Sequence, residues 1–274
     1  MAALPELLDE LGRRWELTFE PCFPALEINY VAPAVRRDGT RCVLKLSRFV
    51  TELCNEIAAL RIWAGDGAVR LLEADEALGA LLTERVEPGT MLVGLADQDD
   101  DAATRITAGL LRHLWRPAPA NSGLRPLDNW CAAYERNRAA LSAGANGFPA
   151  HLFRCADALR AELLASTESV FVLHGDMHHY NVLRSGDDWL AIDPKGLAGD
   201  RCFDLCQFLR NPIGGVPARV NSRRLDMFAA ELGLDRRRVK DWAVVHTVLD
   251  ACWAFEDGNS WRAGVEYAEQ TRAF

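Results

Sequence analysis

The chain has 274 residues, of which 49% are hydrophobic and 26% are charged. This composition is typical of a folded protein with one large domain or two joined lobes, and it excludes an intrinsically disordered chain. The formal net charge of −8 disfavours nucleic acid as a partner, which needs clustered lysine and arginine, and no run approaches the ~18 apolar residues of a membrane span.

The eight cysteines are spread along the chain and contain no Cys-x-x-Cys pair. Only Cys202 and Cys206 are close, at the i,i+4 spacing of a helix. Scattered cysteines in a chain of this length indicate free, buried thiols in a reducing compartment. Acidic residues interrupt every apolar run in the first 15 positions, which favours an amphipathic helix over a signal peptide. We therefore expect a cytoplasmic protein.

The first 86 residues predict a small sheet with one helix against it. An Asp38-Gly39 pair between two β-rich runs indicates a hairpin turn, because glycine tolerates positive φ. Apolar residues at helical spacing predict a helix over Phe49–Trp63. The predicted strands are Leu17–Pro21, Ile28–Arg36, Arg41–Ser47, Val69–Ala74 and Gly79–Val86.

Beyond Pro88-Gly89 the pattern becomes mainly helical. Three short runs predict strands: Ser169–His174, Val182–Arg184 and Trp189–Ile192. The predicted helices are Ala102–Trp115, Asn129–Leu141, Pro149–Ser166, Arg219–Leu232 and Arg237–Glu256. A small β-rich lobe over residues 1–86, joined to a large helical lobe over 87–274, makes a two-lobed α+β fold with a ligand cleft between the lobes.

The segment FVLHGDMHHYNVLRSGDDWLAID, from Phe171 to Asp193, carries the chemistry. Asp176 follows a predicted buried strand on a polar loop, and four residues separate it from Asn181. A hairpin then folds back and ends at Asp193, so we expect Asn181 and Asp193 side by side. Their oxygens suit Mg²⁺, while Asp176 can accept or orient a hydroxyl proton. D-x-x-x-x-N followed by a later Asp is the arrangement that protein kinases use for phosphoryl transfer.

Other interpretations of this segment stay open. Its Asp and Asn residues could simply cap a polar turn. His174, Asp176, His178 and His179 could form a zinc site, although their order differs from the usual hydrolase pattern. For His174 alone we expect a structural hydrogen bond to the loop backbone.

The phrases HGDMHHYNVL and WLAIDPKG resemble the aminoglycoside phosphotransferase superfamily, in particular its streptomycin-kinase branch, the aminoglycoside/hydroxyurea antibiotic resistance kinases. VAPAVRRDGTRCVLKL, NEIAALRIW and DLCQFLRNP fit the same branch, so the resemblance covers nearly the whole chain. It implies a protein-kinase-like fold, ATP and Mg²⁺ as cofactors, and transfer of the ATP γ-phosphate to a hydroxyl of a streptomycin-like antibiotic or of hydroxyurea.

The resemblance also implies roles for residues of the catalytic segment. Asp176 resembles the catalytic base, and Asn181 and Asp193 resemble the metal ligands. Lys195 follows in an Asp-Pro-Lys run that the similar streptomycin kinases also carry. It would neutralise charge on the transferred phosphate, or else be a surface lysine. Asp204 resembles the residue that braces the catalytic loop, with an intrahelical ion pair as the alternative.

In the smaller lobe, the resemblance implies a nucleotide site. Lys45 faces away from the apolar residues of its strand and resembles the lysine that holds the α- and β-phosphates. Glu56 resembles its helix partner, with Glu52 one turn earlier as the competitor. The residues that resemble an adenine-binding hinge are Thr83, Glu84 and Val86. The loop Cys22–Glu27 departs from the family pattern, because it has no glycine where a Gly-rich loop would cover the phosphates.

The acceptor is the least specified part of the prediction. Aminoglycosides are cationic, so their kinases present carboxylates, and the candidates are Asp128, Glu256 and Asp257. Trp130 and Trp253 could stack on a guanidinium. A kinase acting on another small alcohol, sugar or amino alcohol is the main alternative. A nucleotide-binding module without catalysis is a further one.

Overall fold

The computed structural model of the protein describes residues 4–23, 29–212 and 216–273. Most of the predicted phosphate-covering loop, from Pro24 to Glu27, lies outside these residues. No helix in the described ranges is long and apolar enough to cross a membrane.

The N-terminal part contains a five-stranded antiparallel sheet with strand order β1-β2-β3-β5-β4. Its elements are α1 (Leu4–Arg14), β1 (Leu17–Phe19), β2 (Tyr30–Arg36), β3 (Arg41–Leu46), α2 (Val50–Trp63), β4 (Leu71–Asp75) and β5 (Ala80–Glu84). The predicted β2–β3 turn is present: Gly39 has a φ of +87°, and the Asp38 carboxylate accepts the N–H of Thr40 at 2.9 Å. The predicted order of strands and helix in this part is confirmed.

The two faces of this sheet have different partners because side chains alternate along each strand. Cys42, Leu44 and Leu46 of β3 pack with Leu11 of α1 and with Trp15, which directly follows that helix. Lys45 lies opposite Leu81 in the β3–β5 register, and Leu81 packs with α2. The strand therefore directs Lys45 toward α2 and away from α1.

The rest of the described chain is mainly helical. Its elements are β6 (Pro88–Met91), α3 (Val93–Ala96), α4 (Asp100–Leu114), β7 (Arg125–Pro126), α5 (Leu127–Trp130), α6 (Ala133–Ser142), α7 (Ala150–Ala165), β8 (Phe171–Leu173), β9 (Val182–Ser185), β10 (Asp188–Ala191), β11 (Leu197–Gly199), α8 (Cys206–Arg210), α9 (Ala218–Leu232), α10 (Arg236–Glu256) and α11 (Arg262–Ala273). Two 3₁₀ turns occupy Ala145–Gly147 and Arg201–Leu205.

Helix α10 forms the centre of this helical part. It is buried on several faces and packs against α6, α7, α8, α9 and α11. The Asp200 carboxylate accepts from Trp242 Nε1 and Arg238 Nε, both at 2.6 Å, and so ties the 3₁₀ turn at 201–205 to α10. Two three-stranded sheets, β10-β9-β6 and β7-β11-β8, lie at the edge that carries the predicted catalytic segment.

Several elements differ from the sequence prediction. The helix predicted over Asn129–Leu141 is two helices, α5 and α6, separated at residues 131–132. Helices α3, α8 and α11 and strands β6, β7 and β11 were not predicted. The three strands have only two to four residues each, which is too short for a periodic pattern to show.

Candidate active site

The loop that carries Asp176 is held by the buried carboxylate of Asp204, which is 2% exposed. This carboxylate accepts the N–H of Gly175 at 2.6 Å, the N–H of His174 at 3.0 Å and the Nε1–H of Trp115 at 3.0 Å. Burial raises the pKa of Asp204 to about 6, against the opposing effect of the N–H bonds. The group is therefore mainly ionised at pH 7. Asp204 braces the loop and forms no intrahelical ion pair.

His174 is a structural histidine, as the sequence predicts. Its Nδ1 accepts the N–H of Asp176 at 3.2 Å, and its Nε2 lies 2.9 Å from the carbonyl oxygen of Ile192. These bonds require a neutral ring with its proton on Nε2. Burial lowers the pKa of His174 to about 3, which keeps the ring neutral. The ring thus joins the catalytic loop to the end of the β9–β10 hairpin.

Asp176 has a partner near each carboxylate oxygen. Oδ2 lies 3.4 Å from Lys195 Nζ and 3.5 Å from Asn181 Nδ2, and Oδ1 lies 3.6 Å from His178 Nε2. Asn181 Nδ2 also donates to the Asp176 carbonyl at 3.0 Å. Burial raises the pKa of Asp176, while Lys195 and His178 oppose the shift. A carboxylate with a raised pKa accepts a proton more readily than an ordinary one.

Lys45 connects the sheet to the catalytic segment. Its Nζ lies 2.6 Å from Glu56 and also bonds the carboxylate of Asp193. Burial alone would lower the pKa of Lys45, but the two carboxylates outweigh it and raise the pKa. Burial raises the pKa of Glu56 to about 7. The helix partner of Lys45 is thus Glu56, the favoured candidate, whereas Glu52 is exposed.

Asn181 and Asp193 lie at the two ends of the β9–β10 hairpin. The N–H of Ile192 donates to the Asn181 carbonyl at 2.9 Å, which aligns the two ends. Asp193 has a φ of +58°, a region that Asp tolerates better than most residues. Burial alone would raise the pKa of Asp193, but Lys45 and Lys195 outweigh it and lower the pKa. An amide oxygen and an ionised carboxylate at adjacent backbone positions are a donor set that fits Mg²⁺.

Helix α2 touches the catalytic segment at Gly196. A Cβ at this position would lie 2.0 Å from the carbonyl oxygen of Asn55, and Gly196 has a φ of +61°. Only glycine fits such an approach without displacing backbone. The helix that carries Glu56 is thereby fixed against the residues that follow Asp193.

The predicted hinge residues lie at the end of β5. Thr83 pairs with Val43 and Leu71 in the sheet. The backbone N–H of Glu84 donates to the carbonyl oxygen of Arg70 at 3.0 Å. The Glu84 carboxylate accepts the backbone N–H of Arg70 at 2.8 Å. Val86 follows the strand and is half-buried. Their role in binding adenine stays a prediction.

Two of the three carboxylates predicted for the acceptor have basic or amide partners of their own, and the third is exposed. Asp128 is 75% exposed and lies 3.8 Å from Arg160. Glu256 accepts from Arg136 at 2.8 Å and from Asn137 at 2.7 Å. Asp257 caps α10 and is exposed. Within the described ranges, no hydrogen bond or ion pair joins them to the catalytic segment, so their role stays a prediction.

The structure also brings together an acidic residue and an arginine that the sequence analysis did not single out. Asp250 on α10 forms an ion pair with Arg210 on α8, and its Oδ2 lies 3.4 Å from His246 Nδ1. Burial lowers the pKa of Arg210, and the nearby charge of Asp176 opposes that shift. Sequence reasoning missed this pair because its members are far apart in the chain. The only local signal was the i,i+4 spacing of His246 and Asp250.

The histidines of the catalytic segment do not form a metal cluster. Among the residues that the structure describes, no three His, Cys, Asp or Glu side chains are grouped to hold a metal ion. The His179 ring stacks on Phe208 with centroids 3.9 Å apart, and its Nε2 lies 3.5 Å from the Arg224 guanidinium. A cation at His179 would face that guanidinium, which argues against the zinc alternative.

A lysine–glutamate pair under a small sheet, opposite a braced Asp loop and an Asn/Asp hairpin, is how protein kinases bind a nucleotide and transfer its phosphate. The fold and the site define a protein-kinase-like phosphotransferase. A thermostable mutant of aminoglycoside phosphotransferase APH(4)-Ia, solved with ADP and hygromycin B, has the same fold. It matches with a TM-score of 0.67 at 13% identity, over 97% of this chain and 96% of that chain.

The sequence relatives narrow this class to one family. A sequence model of the aminoglycoside/hydroxyurea antibiotic resistance kinases matches residues 14–258, and the chain belongs to this family. A streptomycin 6-kinase from Streptomyces glaucescens is 39% identical over 95% of this chain and 86% of its own. A hydroxyurea phosphotransferase from Kitasatospora aureofaciens is 40% identical over 93% and 74%. The predicted family, the kinase-like fold and the enzyme class are confirmed.

Proposed function

We propose that the protein transfers the γ-phosphate of Mg-ATP to a hydroxyl of a streptomycin-like aminoglycoside. The observation that carries the proposal is the convergence of Lys195 and Asn181 on the Asp176 carboxylate, at 3.4 and 3.5 Å. The streptomycin 6-kinase relatives support the acceptor class. The hydroxyurea phosphotransferase relative makes hydroxyurea the second candidate acceptor.

Lys45 would hold the α- and β-phosphates of the nucleotide. Its ammonium is positioned by Glu56 and contacts Asp193, so it lies where the phosphates and the catalytic segment would meet. Thr83, Glu84 and Val86 would present backbone groups to the adenine. This arrangement supports ATP as the phosphate donor.

Asn181 and Asp193 would hold Mg²⁺, which neutralises charge on the β- and γ-phosphate oxygens when bound. Asp193 has two cationic neighbours, Lys45 and Lys195, which keep it ionised and therefore able to bind a cation.

Asp176 would take the proton from the acceptor hydroxyl while the hydroxyl oxygen attacks the γ-phosphorus. The bond between the γ-phosphorus and the β,γ-bridging oxygen would break, so that ADP leaves with that oxygen. The raised pKa of Asp176 suits this transfer. Lys195 Nζ, 3.4 Å from Asp176 Oδ2 and 3.9 Å from Asp193 Oδ2, lies between the base and the metal ligand. Its positive charge would neutralise the charge that develops on the transferred phosphoryl group.

A cationic acceptor would meet carboxylates on the α10 side of the site. Asp250 is a further candidate, because it lies partly buried on α10 and pairs with Arg210 on α8, the helix that directly follows the 3₁₀ turn of Asp204. Asp128, Glu256 and Asp257 remain candidates for parts of the acceptor farther from the hydroxyl. The eight unpaired cysteines suit the cytoplasm, where ATP is available.

Asp176→Ala tests the proposal. We expect turnover to fall by roughly 10²–10⁴-fold, because the group that takes the proton is removed. ADP affinity, measured by calorimetry, should stay near the wild-type value, since Asp176 makes no nucleotide contact in this scheme. Asp187→Ala is the matched control: Asp187 is a fully exposed carboxylate in the turn of the same hairpin, and its loss should leave turnover unchanged.

The acceptor is identified with Mg-ATP and a panel of streptomycin, other aminoglycosides, hydroxyurea, sugars and amino alcohols, with the phosphorylated product detected by mass spectrometry. Phosphorylation of a sugar or amino alcohol alone would replace the proposed acceptor class with the metabolic one. An Asp176→Ala variant with wild-type turnover would refute the proposed mechanism.

A further inference from the structure

His178 lies beside the catalytic carboxylate and has no part in the mechanism above. Its side chain is 18% exposed, and its Nε2 lies 3.6 Å from Asp176 Oδ1. That distance is just beyond a hydrogen bond. Contacts around a catalytic group are often long without substrate and shorten in the substrate complex. The other carboxylate oxygen, Oδ2, faces Lys195 and Asn181.

The hydrogen bonds around the ring determine which nitrogen carries the proton. The backbone N–H of Tyr180 donates to His178 Nδ1 at 3.2 Å, so Nδ1 is an acceptor. An imidazole nitrogen that accepts a hydrogen bond carries no proton, so this ring is neutral. A neutral imidazole with an accepting Nδ1 has its proton on Nε2. That proton is on the nitrogen nearest Asp176 Oδ1.

The amide of Asn181 is consistent with this tautomer. Its Nδ2 lies 3.3 Å from His178 Nε2, which would bring two donors together if an amide hydrogen pointed at the ring. The amide has other acceptors, however. One hydrogen goes to the Asp176 carbonyl at 3.0 Å, and the other can go to Asp176 Oδ2 at 3.5 Å. The Nε2–H of His178 is then left to Oδ1.

We propose that His178 is a positioning residue for Asp176: its Nε2–H fixes the orientation of the carboxylate through Oδ1. With Oδ2 held by Lys195 and Asn181, and Oδ1 held by His178, the carboxylate cannot rotate about its Cβ–Cγ bond. Its remaining lone pairs keep one direction, toward the acceptor hydroxyl. This inference rests on the proposed function, in which Asp176 receives the hydroxyl proton.

The competing explanation is that His178 only caps the loop through the bond from Tyr180 to Nδ1. Two substitutions separate the two roles. In His178→Asn the side-chain oxygen can still accept the Tyr180 N–H, but no donor reaches Asp176. In His178→Gln the longer amide can place its N–H where Nε2–H was, but the cap at the Nδ1 position is lost.

If His178 orients Asp176, H178N should lower kcat by about 10- to 100-fold with little change in the KM for ATP, the range typical of residues that orient a reactive group. H178Q should keep most of the wild-type kcat. His151, 65% exposed on α7, is the matched control, and H151N and H151Q should leave kcat unchanged. These kcat measurements use the acceptor that the wild-type protein phosphorylates in the substrate panel described above.

Three outcomes would overturn the inference: an active H178N with an impaired H178Q, equal losses in both, or full activity in both. Thermal midpoints show whether a loss reflects misfolding. If Asp176→Ala is fully active, the proposed function fails as well. If Asp176→Ala is inactive but H178N is not, only the role of His178 fails.

A measurement on the unmodified protein needs neither a variant nor an acceptor. The ¹⁵N chemical shifts of the His178 ring distinguish the two neutral tautomers directly. At pH 7 we expect the form protonated on Nε2. A ring protonated on Nδ1 would place a lone pair against Asp176 Oδ1 and overturn the inference even if both variants behaved as expected.

Discussion

Asp204→Asn isolates the contribution of the group that braces the catalytic loop. Oδ2 of Asp204 accepts two N–H groups, from His174 and Trp115, and Oδ1 accepts one, from Gly175. An asparagine side chain has only one oxygen. In the orientation that keeps most hydrogen bonds, this oxygen accepts from His174 and Trp115, and the NH₂ group faces the N–H of Gly175. At least one buried donor then has no acceptor.

The expected loss of stability in D204N follows from these hydrogen bonds. A buried donor without a partner costs about 1–3 kcal/mol, and the two remaining bonds weaken because their acceptor is no longer charged. Relief from burying a charge offsets part of this loss. We expect D204N to lower the free energy of unfolding by about 2–4 kcal/mol. Because the peptide before Asp176 loses an anchor, kcat should fall as well.

Urea unfolding at pH 7, monitored by tryptophan fluorescence, measures the change in the free energy of unfolding. Asp187→Asn, at an exposed site in the β9–β10 turn, should stay within roughly 0.5 kcal/mol of wild type. A D204N protein as stable as D187N would show that the N–H groups of the loop find other acceptors, and the account of Asp204 as the brace would be wrong.

Glu56→Gln removes the helix carboxylate that positions Lys45 and should raise the KM for ATP roughly 10- to 100-fold. The exposed Glu52→Gln should not change it, and equal effects of the two would remove Glu56 from the nucleotide site. Asp250→Asn should raise the KM for a cationic acceptor, whereas the KM for ATP should stay unchanged. An unaltered KM for the acceptor would exclude Asp250 from the acceptor site. Burial lowers the pKa of His246 from 6.5 to about 3, so its contribution to stability is present above pH 6.5 and is lost as the pH falls below it. Replacing His246 with Asn should remove about 1.4 kcal/mol per pH unit from the slope of unfolding free energy below pH 6.5, and an unchanged slope would contradict this pKa.

The parts of the site that sequence could predict are those joined by short stretches of chain. Asp176, Asn181 and Asp193 belong to one strand–loop–hairpin segment, so their spacing largely determines their positions. The alternation of side chains along β3 gave the direction of Lys45 in the same way. The brace by Asp204 depends on residues 29, 30 and 89 positions away, and only the family resemblance suggested it.

The pair of Arg210 and Asp250 could not be predicted because tertiary packing creates it. Arg210 and Asp250 meet only when α8 and α10 pack together, and no local pattern records that contact. The predicted carboxylates Asp128 and Glu256, like Asp250, lie beside arginines. Acidic residues on helices are common, and sequence alone does not tell which of them have partners.

The amino-acid composition gives a further indication for Lys195, which the sequence analysis left as either a residue of the active site or a surface lysine. Lys45, Lys195 and Lys240 are the three lysines among 31 lysines and arginines. Two of the three lie at the candidate site. A compact ammonium and a planar guanidinium are not interchangeable around phosphate, so lysines retained in an arginine-rich chain are good candidates for function.

The contact between Gly196 and Asn55 also bears on how the enzyme is controlled. Protein kinases are switched by moving the helix that carries the glutamate partner of the lysine. In this protein that ion pair is already formed, and the backbone of the helix lies against Gly196 with no space for a side chain between them. Moving the helix away from the site would have to break the Lys45–Glu56 pair and the Gly196–Asn55 contact together. Both contacts therefore oppose the helix movement by which protein kinases are switched off.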